Sequence, residues 1–476
     1  MSENIFLTIF IAICFIVFVF VLFFDKLDYV TYSLALIILA GIVSSFFIEE
    51  VRHIEFYVEA IDWEVIFFLI GMFVIVEVLN EKKIFHELAR RIVKRYKHNF
   101  RKLFYFLCIT STLVASFLED LSVAIIFGPI IVITCLELKI NPTPFLLGMT
   151  VCINLASMLL PFGSAEDIII VNALDLDIVW FIQYFAAYFV VSTLLTLFLL
   201  DKFVLKKYLQ KQWNSYCEDE SSVNIVNLYD QAERDRAENV DREHLFYHDI
   251  HSDEHSITEF EVDKKTFNIN MFGLFIFLVL LITVPTLYLP CLISALMFVF
   301  INPVEDSRGK KRPSISHFFK RVDYKLIYFF ICLFILVQLM EITGSLLIIE
   351  QLVTSVSQDN LFVLCVVVLL LSSILSGFMD NAPVTVIFVP IVILLLSDIG
   401  YDYPPLIFAF VLGVNCGGNF LPQGSACDMM TLEIAKQNCV YDLSYKKLTK
   451  VGASFALLHI AIGVIYLLFF IYVIPL

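Results

Sequence analysis

Seven runs of about twenty apolar residues, at 5–24, 29–48, 61–80, 178–201, 268–287, 323–349 and 452–474, limit what this chain can become. About twenty apolar helical residues cross the hydrocarbon core of a bilayer. The composition agrees: 60% hydrophobic and 17% charged leaves too little polar surface for a soluble enzyme of 476 residues. The formal charge of −15 looks inconsistent with so apolar a chain until it is located. Residues 218–263 hold fifteen Asp/Glu against three Arg, so −12 of it lies in one stretch. The first run lacks a basic leader and a small-residue cleavage site, and reads as a span. Eleven cysteines are scattered singly, without metal-type spacing, and read as small buried hydrophobes.

Between the runs lie apolar stretches broken in the middle. Residues 103–138 divide at Glu119-Asp120, and 143–174 at Pro161-Phe162-Gly163-Ser164. Residues 361–398 divide at Asp380-Asn381-Ala382-Pro383, and 404–436 at Pro422-Gln423-Gly424-Ser425. Non-helical backbone at membrane depth is tolerated only inside protein or along a cavity, so these breaks should be enclosed. A shift of 261 aligns Asp62–Asp167 on the second half without a gap, and superposes the breaks. Asn154 falls on Asn415, Pro129 on Pro390, and Gly163-Ser164-Ala165 on Gly424-Ser425-Ala426; twelve of 28 positions in 116–129 and 154–167 are identical to their partners. That degree of matching marks an internal duplication of the kind on which transporters are built.

Orientation follows from Lys and Arg. Loop 81–102 carries nine and loop 303–322 six, whereas the loops expected outside carry one between them, Arg52. The Asp62 helix ends at a basic loop and its counterpart begins at one, so the halves run in opposite directions. The assignment closes with 103–138 and 361–398 as re-entrant hairpins with arms of about 15–17 residues. The expected fold is an all-α polytopic membrane protein of two inverted-topology repeats. It has about ten spans, two re-entrant hairpins, and two spans broken at the midplane. Residues 1–201 form the first repeat, 202–267 an acidic cytoplasmic linker, and 268–476 the second repeat.

The second hairpin tip offers Asp380, Asn381 and, one turn on, Thr385; an Asx before a proline starts a helix well. The first tip offers Glu119, Asp120 and Ser122, with adjacent carboxylates suited to holding a proton. The breaks offer Asn154, Gly163 and Ser164 in one half, and Asn415, Gly424 and Ser425 in the other. Glu166, Asp167 and Asp428 follow them as candidate proton-coupling groups. Gly417-Gly418 should let another backbone approach closely, most simply the hairpin. No Lys or Arg lies near any break, so a Na⁺ or H⁺ site is the direct inference and an anion would need a cation or helix N-termini. His244, His248, His251 and His255 in the linker are a weak metal candidate amid a solvated charge run.

Phe378-Met379-Asp380-Asn381-x-Pro383-x-Thr385 and Asn415-x-Gly417-Gly418-Asn419-x-x-Pro422-x-Gly424-Ser425-Ala426 resemble the ion transporter superfamily. That group contains arsenite permeases, NhaD-type sodium/proton antiporters, citrate–metal transporters and sodium/dicarboxylate symporters. The resemblance spans nearly the whole chain and implies substrate and cation sites at the tips and breaks, and a homodimer. Carried over by position, Asp380, Asn381, Thr385, Asn415, Gly424 and Ser425 form one site. The first half departs from the pattern, with Glu119-Asp120 at its tip and Gly163-Ser164-Ala165-Glu166-Asp167 at its break.

The expected function is secondary active transport of a small ion or anion, driven by a Na⁺ or H⁺ gradient through alternating access. The expected partners are the lipid bilayer and that substrate, with no cofactor and no nucleic acid. A Na⁺/H⁺ antiporter without a further substrate and a channel of the same fold remain as alternatives. No Gly-rich nucleotide loop is present, and the Gly-x-Gly-Asp of intramembrane aspartyl proteases is missing, with Met379 where its second Gly belongs.

Overall fold

The computed structural model describes residues 5–21, 28–209, 262–284, 286–305, 310–322, 324–347, 360–399 and 404–472. The four linker histidines and Asp323 lie outside the described residues, as does most of the linker. What is described is nearly all helix. The first half contains α1 (Ile5–Val21), α2 (Tyr29–Ser45), α3 (Ile54–Glu59), α4 (Trp63–Glu81), α5 (Ile84–Tyr96), α6 (Phe100–Ala115), α7 (Asp120–Glu137), α8 (Thr143–Ile153), α9 (Ala165–Ala173) and α10 (Ile178–Leu200). The second contains α11 (Lys264–Thr283), α12 (Tyr288–Ile301), α13 (Ile315–Phe319), α14 (Tyr324–Ile342), α15 (Leu361–Phe378), α16 (Asn381–Ile399), α17 (Pro404–Gly417), α18 (Ala426–Gln437) and α19 (Tyr445–Tyr472).

The shift found in the sequence carries over to the helices. Adding 261 to Trp63–Glu81 gives the bounds of α14, Tyr324–Ile342, and the starts of α6, α7, α8 and α9 become those of α15, α16, α17 and α18. Both spans read as broken are broken: α8 gives way to two 3₁₀ turns before α9, and α17 to one before α18. Pro129 and Pro390 sit inside α7 and α16. The hairpin arms have 16, 18, 18 and 19 residues, slightly longer than expected.

Among the described residues seven helices are long and apolar enough to cross a membrane: α4, α7, α10, α11, α14, α15 and α19, two of which, α7 and α15, are arms of the expected hairpins. Five of the ten expected spans are absent from that set because α1 and α2 have 17 residues, α12 has 14, and neither piece of a broken span reaches crossing length. Helix α5, inside a stretch read only as a basic loop, is amphipathic. Its Ile84, Phe85 and Ala89 are buried while Lys94 and Arg95 are exposed.

The helices pack into two bodies, each drawing on both halves. One contains α1, α2, α4, α11, α12 and α14, with α12 against α4 and α14 against α2. The other contains α5 to α10 and α15 to α19, and its closest packing is α15 on α17. Small residues allow that approach. A Cβ on Gly413 would stand 1.9 Å from Ser372 Oγ, and one on Gly417 would stand 2.5 Å from the Ser373 carbonyl. Gly417 thus admits the hairpin, as its sequence position suggests.

In each half the break glycine lies against a carbonyl in the last turn of the first hairpin arm. A Cβ on Gly163 would lie 2.0 Å from Ala115 O, and one on Gly424 would lie 2.6 Å from Ser376 O, the two carbonyls themselves being 261 apart. Gly163→Ala and Gly424→Ala should each cost at least about 1–3 kcal/mol, read as a lower melting temperature in detergent. Away from the long apolar helices, Glu87 of α5 accepts from Arg90 (2.7 and 3.0 Å) and Arg91 (2.8 Å). The Arg91 guanidinium also stacks 3.8 Å over Phe267 of α11. Burial pushes the Glu87 carboxyl up, but the two arginines outweigh it and hold it below its ordinary value. Such a group adds stability above its unfolded pKa and loses it as pH falls through the lower folded value. Glu87→Gln should therefore lower the melting temperature at neutral pH, with the gap to the parent closing below about pH 4.

Candidate functional site

The two tips and the two breaks meet. Helices α7, α9, α16 and α18 all begin there, with α9 packed on α16 and α7 on α18. Three of the four carry acids in their first turn: Asp120 in α7, Glu166 and Asp167 in α9, Asp428 in α18. Helix α16 begins instead with Asn381. Helix N-termini carry positive partial charge, which partly offsets these carboxylates. No Lys or Arg is buried among the described residues, so no side chain there neutralises them.

The carboxylates are held by amides from the opposite half, in exchanged pairs. Asn415 Nδ2 donates to both oxygens of Asp167 (2.9 and 3.2 Å), and Asn154 Nδ2 donates to Asp428 Oδ1 (3.3 Å). These pairs map onto each other under the shift of 261, with first and second halves swapped. Around the first, Ser157 Oγ donates to Asn415 Oδ1 (2.7 Å) and Ser164 Oγ to Asp167 Oδ2 (2.9 Å). Around the second, Thr150 Oγ1 donates to Asp428 Oδ1 (2.5 Å), Ser425 Oγ to Asn154 Oδ1 (3.0 Å), and Asn154 Nδ2 also to Asn419 Oδ1 (2.9 Å). A third contact joins the second tip to the first break: Asn381 Nδ2 donates to Glu166 Oε1 (2.9 Å). Asn381 Oδ1 in turn accepts from Ser376, which also donates to Val414 O (2.6 Å).

Buried polar atoms remain without a protein partner at this junction: Asp120 Oδ1, Asp428 Oδ2, Thr385 Oγ1 and Asn419 Nδ2. Each costs about 1–3 kcal/mol when left unsatisfied, so an ion, a proton or water is the natural complement. Among the described residues no three His, Cys, Asp or Glu are grouped to hold a metal. The oxygen set of carboxylates, carboxamides and hydroxyls suits a hard monovalent cation or a proton.

The sequence candidates therefore divide. Asn154, Ser164, Glu166, Asp167, Asn381, Asn415, Ser425 and Asp428 are joined by hydrogen bonds, and Gly163 and Gly424 bring backbone to backbone. Asp120 and Thr385 are at the junction with unpartnered oxygens. Glu119 occupies the N-cap position of α7 and is half-buried. Ser122 is half-buried and no hydrogen bond draws it into the cluster. Asp380 accepts from the adjacent Asn381 N (2.8 Å) and is open to the surface, and it stands near enough to Glu166 for the two carboxylates to repel each other. The buried contact at that tip belongs to Asn381. Thr150, Ser157 and Ser376 were not anticipated. Their only signal was a hydroxyl placed one turn from a break asparagine or a tip, in otherwise apolar sequence.

A double-mutant cycle of Asn154→Ala with Asp428→Ala should give a coupling energy of about 0.5–3 kcal/mol by thermal unfolding. The cycle of Asn415→Ala with Asp167→Ala should give a similar value, since it probes the exchanged contact.

Known proteins resemble this chain over most of its length. It is 25% identical over 411 residues to an uncharacterized transporter of Mycobacterium tuberculosis strain H37Rv, covering 86% of both chains. It is 23% identical over 467 residues to the human P protein, covering 86% of this chain and 54% of that one. The crystal structure of the Alcanivorax borkumensis YdaH transporter shares the fold, with a TM-score of 0.60 over 87% of each chain at 10% identity. The family described as "Citrate transporter" matches residues 18–414, well over half of the sequence. The chain belongs to the citrate transporter family and is a multi-pass integral membrane transporter.

Proposed function

We propose that the protein is a secondary active transporter that moves a small ion or anion, driven by a Na⁺ or H⁺ gradient, by alternating access at the junction of α7, α9, α16 and α18. The two halves are inverted repeats, the hairpins α6–α7 and α15–α16 are re-entrant, and the acidic linker is cytoplasmic. One observation carries the reading: the Asn415–Asp167 and Asn154–Asp428 pairs bury carboxylates with no basic side chain near them. Charge buried in this way needs a proton or a bound cation for at least part of a transport cycle.

The family's description points to citrate as a candidate cargo. In a site built only of acids, amides and hydroxyls, a polycarboxylate would enter with cations or lie at the positive ends of the four helices. The same lack of basic residues favours a second reading, a Na⁺/H⁺ antiporter with no organic cargo. Purified protein in liposomes, offered Na⁺, citrate, dicarboxylates and arsenite under imposed Na⁺ or H⁺ gradients, separates the two. Flux should fall at least tenfold when both gradients are collapsed, and Asp167→Asn and Asp428→Asn should each abolish gradient-driven uptake. Flux indifferent to both gradients would overturn the reading.

A further inference from the structure

At the junction the two bodies touch through α9 and α16 only; away from it α5 also meets α4 and α11, and α10 meets α11. Helix α4 packs on α9 and α14 packs on α16, and both α9 and α16 run from the centre toward the side opposite the basic loops. The counterparts under the 261 shift would be α14 on α18 and α4 on α7. Among the described residues neither pair makes a comparable contact.

Exposure shows the same imbalance independently. Met429 of α18 is 43% exposed while its counterpart Ile168 of α9 is 2% exposed. Ala426 is exposed and its counterpart Ala165 half-buried, and Leu121 and Ile125 of α7 are half-buried where Ala382 and Val386 of α16 are buried. Residues 426, 429 and 433 lie on one face of α18, about a turn apart.

One polar contact crosses the packed side. Asp62, the N-cap of α4, accepts from Glu64 N and Val65 N, and both its oxygens accept from Asn172 Nδ2 of α9 (3.0 Å each). Under the shift, Asp62 corresponds to Asp323 and Asn172 to Glu433. Glu433 here accepts from Gln437 within its own helix (3.0 Å). The packed side thus has an acid–amide contact, while at the position corresponding to Asn172 α18 carries an acid, Glu433.

We propose that this conformation is the inward-facing one, that the Asp62–Asn172 contact is the latch of its outer closure, and that the Ala426–Met429–Glu433 face of α18 docks on α14 when the protein turns outward. The inference rests on the alternating-access reading. It adds an asymmetry: the outer closure has a hydrogen-bonded latch, whereas α18 carries Glu433 at the position corresponding to Asn172, so the inward-facing state is preferred without substrate.

The test uses the full chain in liposomes with Cys217 and Cys439 replaced by serine, and carries Met429→Cys as a reporter. A membrane-impermeant thiol reagent should label the reporter from the cytoplasmic side and not from outside. Labelling from neither side would place that face in lipid and overturn the assignment. Asn172→Ala should slow cytoplasmic labelling at least threefold as outward-facing molecules accumulate; an unchanged rate overturns the latch. These arms hold whether or not any offered substrate is transported, so they fail separately from the transport reading. In the pair Asp62→Cys with Asn172→Cys, oxidation should stop flux at least tenfold, reversibly with reductant, and leave cytoplasmic labelling intact. Full flux through the cross-linked protein would show that the contact never opens.

Discussion

Backbone that leaves a helix inside a bilayer has no water to bond to, and the rest of this architecture answers that constraint. The two broken spans expose amides and carbonyls at Asn154–Ser164 and Gly418–Ser425, and each must be enclosed by protein. The hairpins provide the enclosure. Gly163 and Gly424 are needed because a carbonyl in the last turn of the hairpin arm comes closer than any side chain at those positions would permit. Once tips and breaks are forced together, four helix N-termini converge, and their partial charges make the same place tolerant of buried acids.

That convergence also explains why the amides come from the opposite half. A carboxylate in the first turn of α9 cannot be reached by the asparagine that ends its own broken span, which points toward α18. The counterpart asparagine can reach it, and the same geometry applies with the halves exchanged. A single half would leave Asp167 only its bonds with Ser164 and Asn415 only its bond to Val411 O, so the paired halves complete the junction together.

Much of this was legible in the sequence because breaks in apolar runs are rare and were superposed by one shift. The positions of both breaks, and of Asn154, Asn415, Asp167 and Asp428, follow from that alignment, and the long helices from the apolar runs, whereas amphipathic α5 lay hidden in a basic stretch. What it could not give was direction. At the second tip Asp380 precedes the helix and Asn381 begins it, and the hydrogen bond to Glu166 is made by Asn381 while Asp380 acts on it by charge alone. The cap position lies at the rim of the turn and the next residue faces α9. Thr150, Ser157 and Ser376 were hidden for a different reason. A lone hydroxyl in an apolar helix usually bonds to its own backbone, and only the crossing of helices distant in sequence reveals another partner. Asn172 was hidden too, since nothing along the chain connects it with Asp62.

The contact between Asn381 and Glu166 has a counterpart under the shift in Asp120 and Cys427, where α7 packs on α18. In one pair the acid belongs to the broken span and the hairpin supplies a neutral group; in the other the hairpin carries the acid and the broken span is neutral. The acids are thus divided differently between the parts: Glu166 and Asp167 sit together on one broken span, whereas Asp120 is on a hairpin and Asp428 on the other broken span. If hairpin and broken span separate at any stage, the first two acids stay together on the span and the other two are split between two elements. Two halves alike in sequence would then part their charges differently, which gives a duplicated protein an order of events that perfect symmetry would deny it.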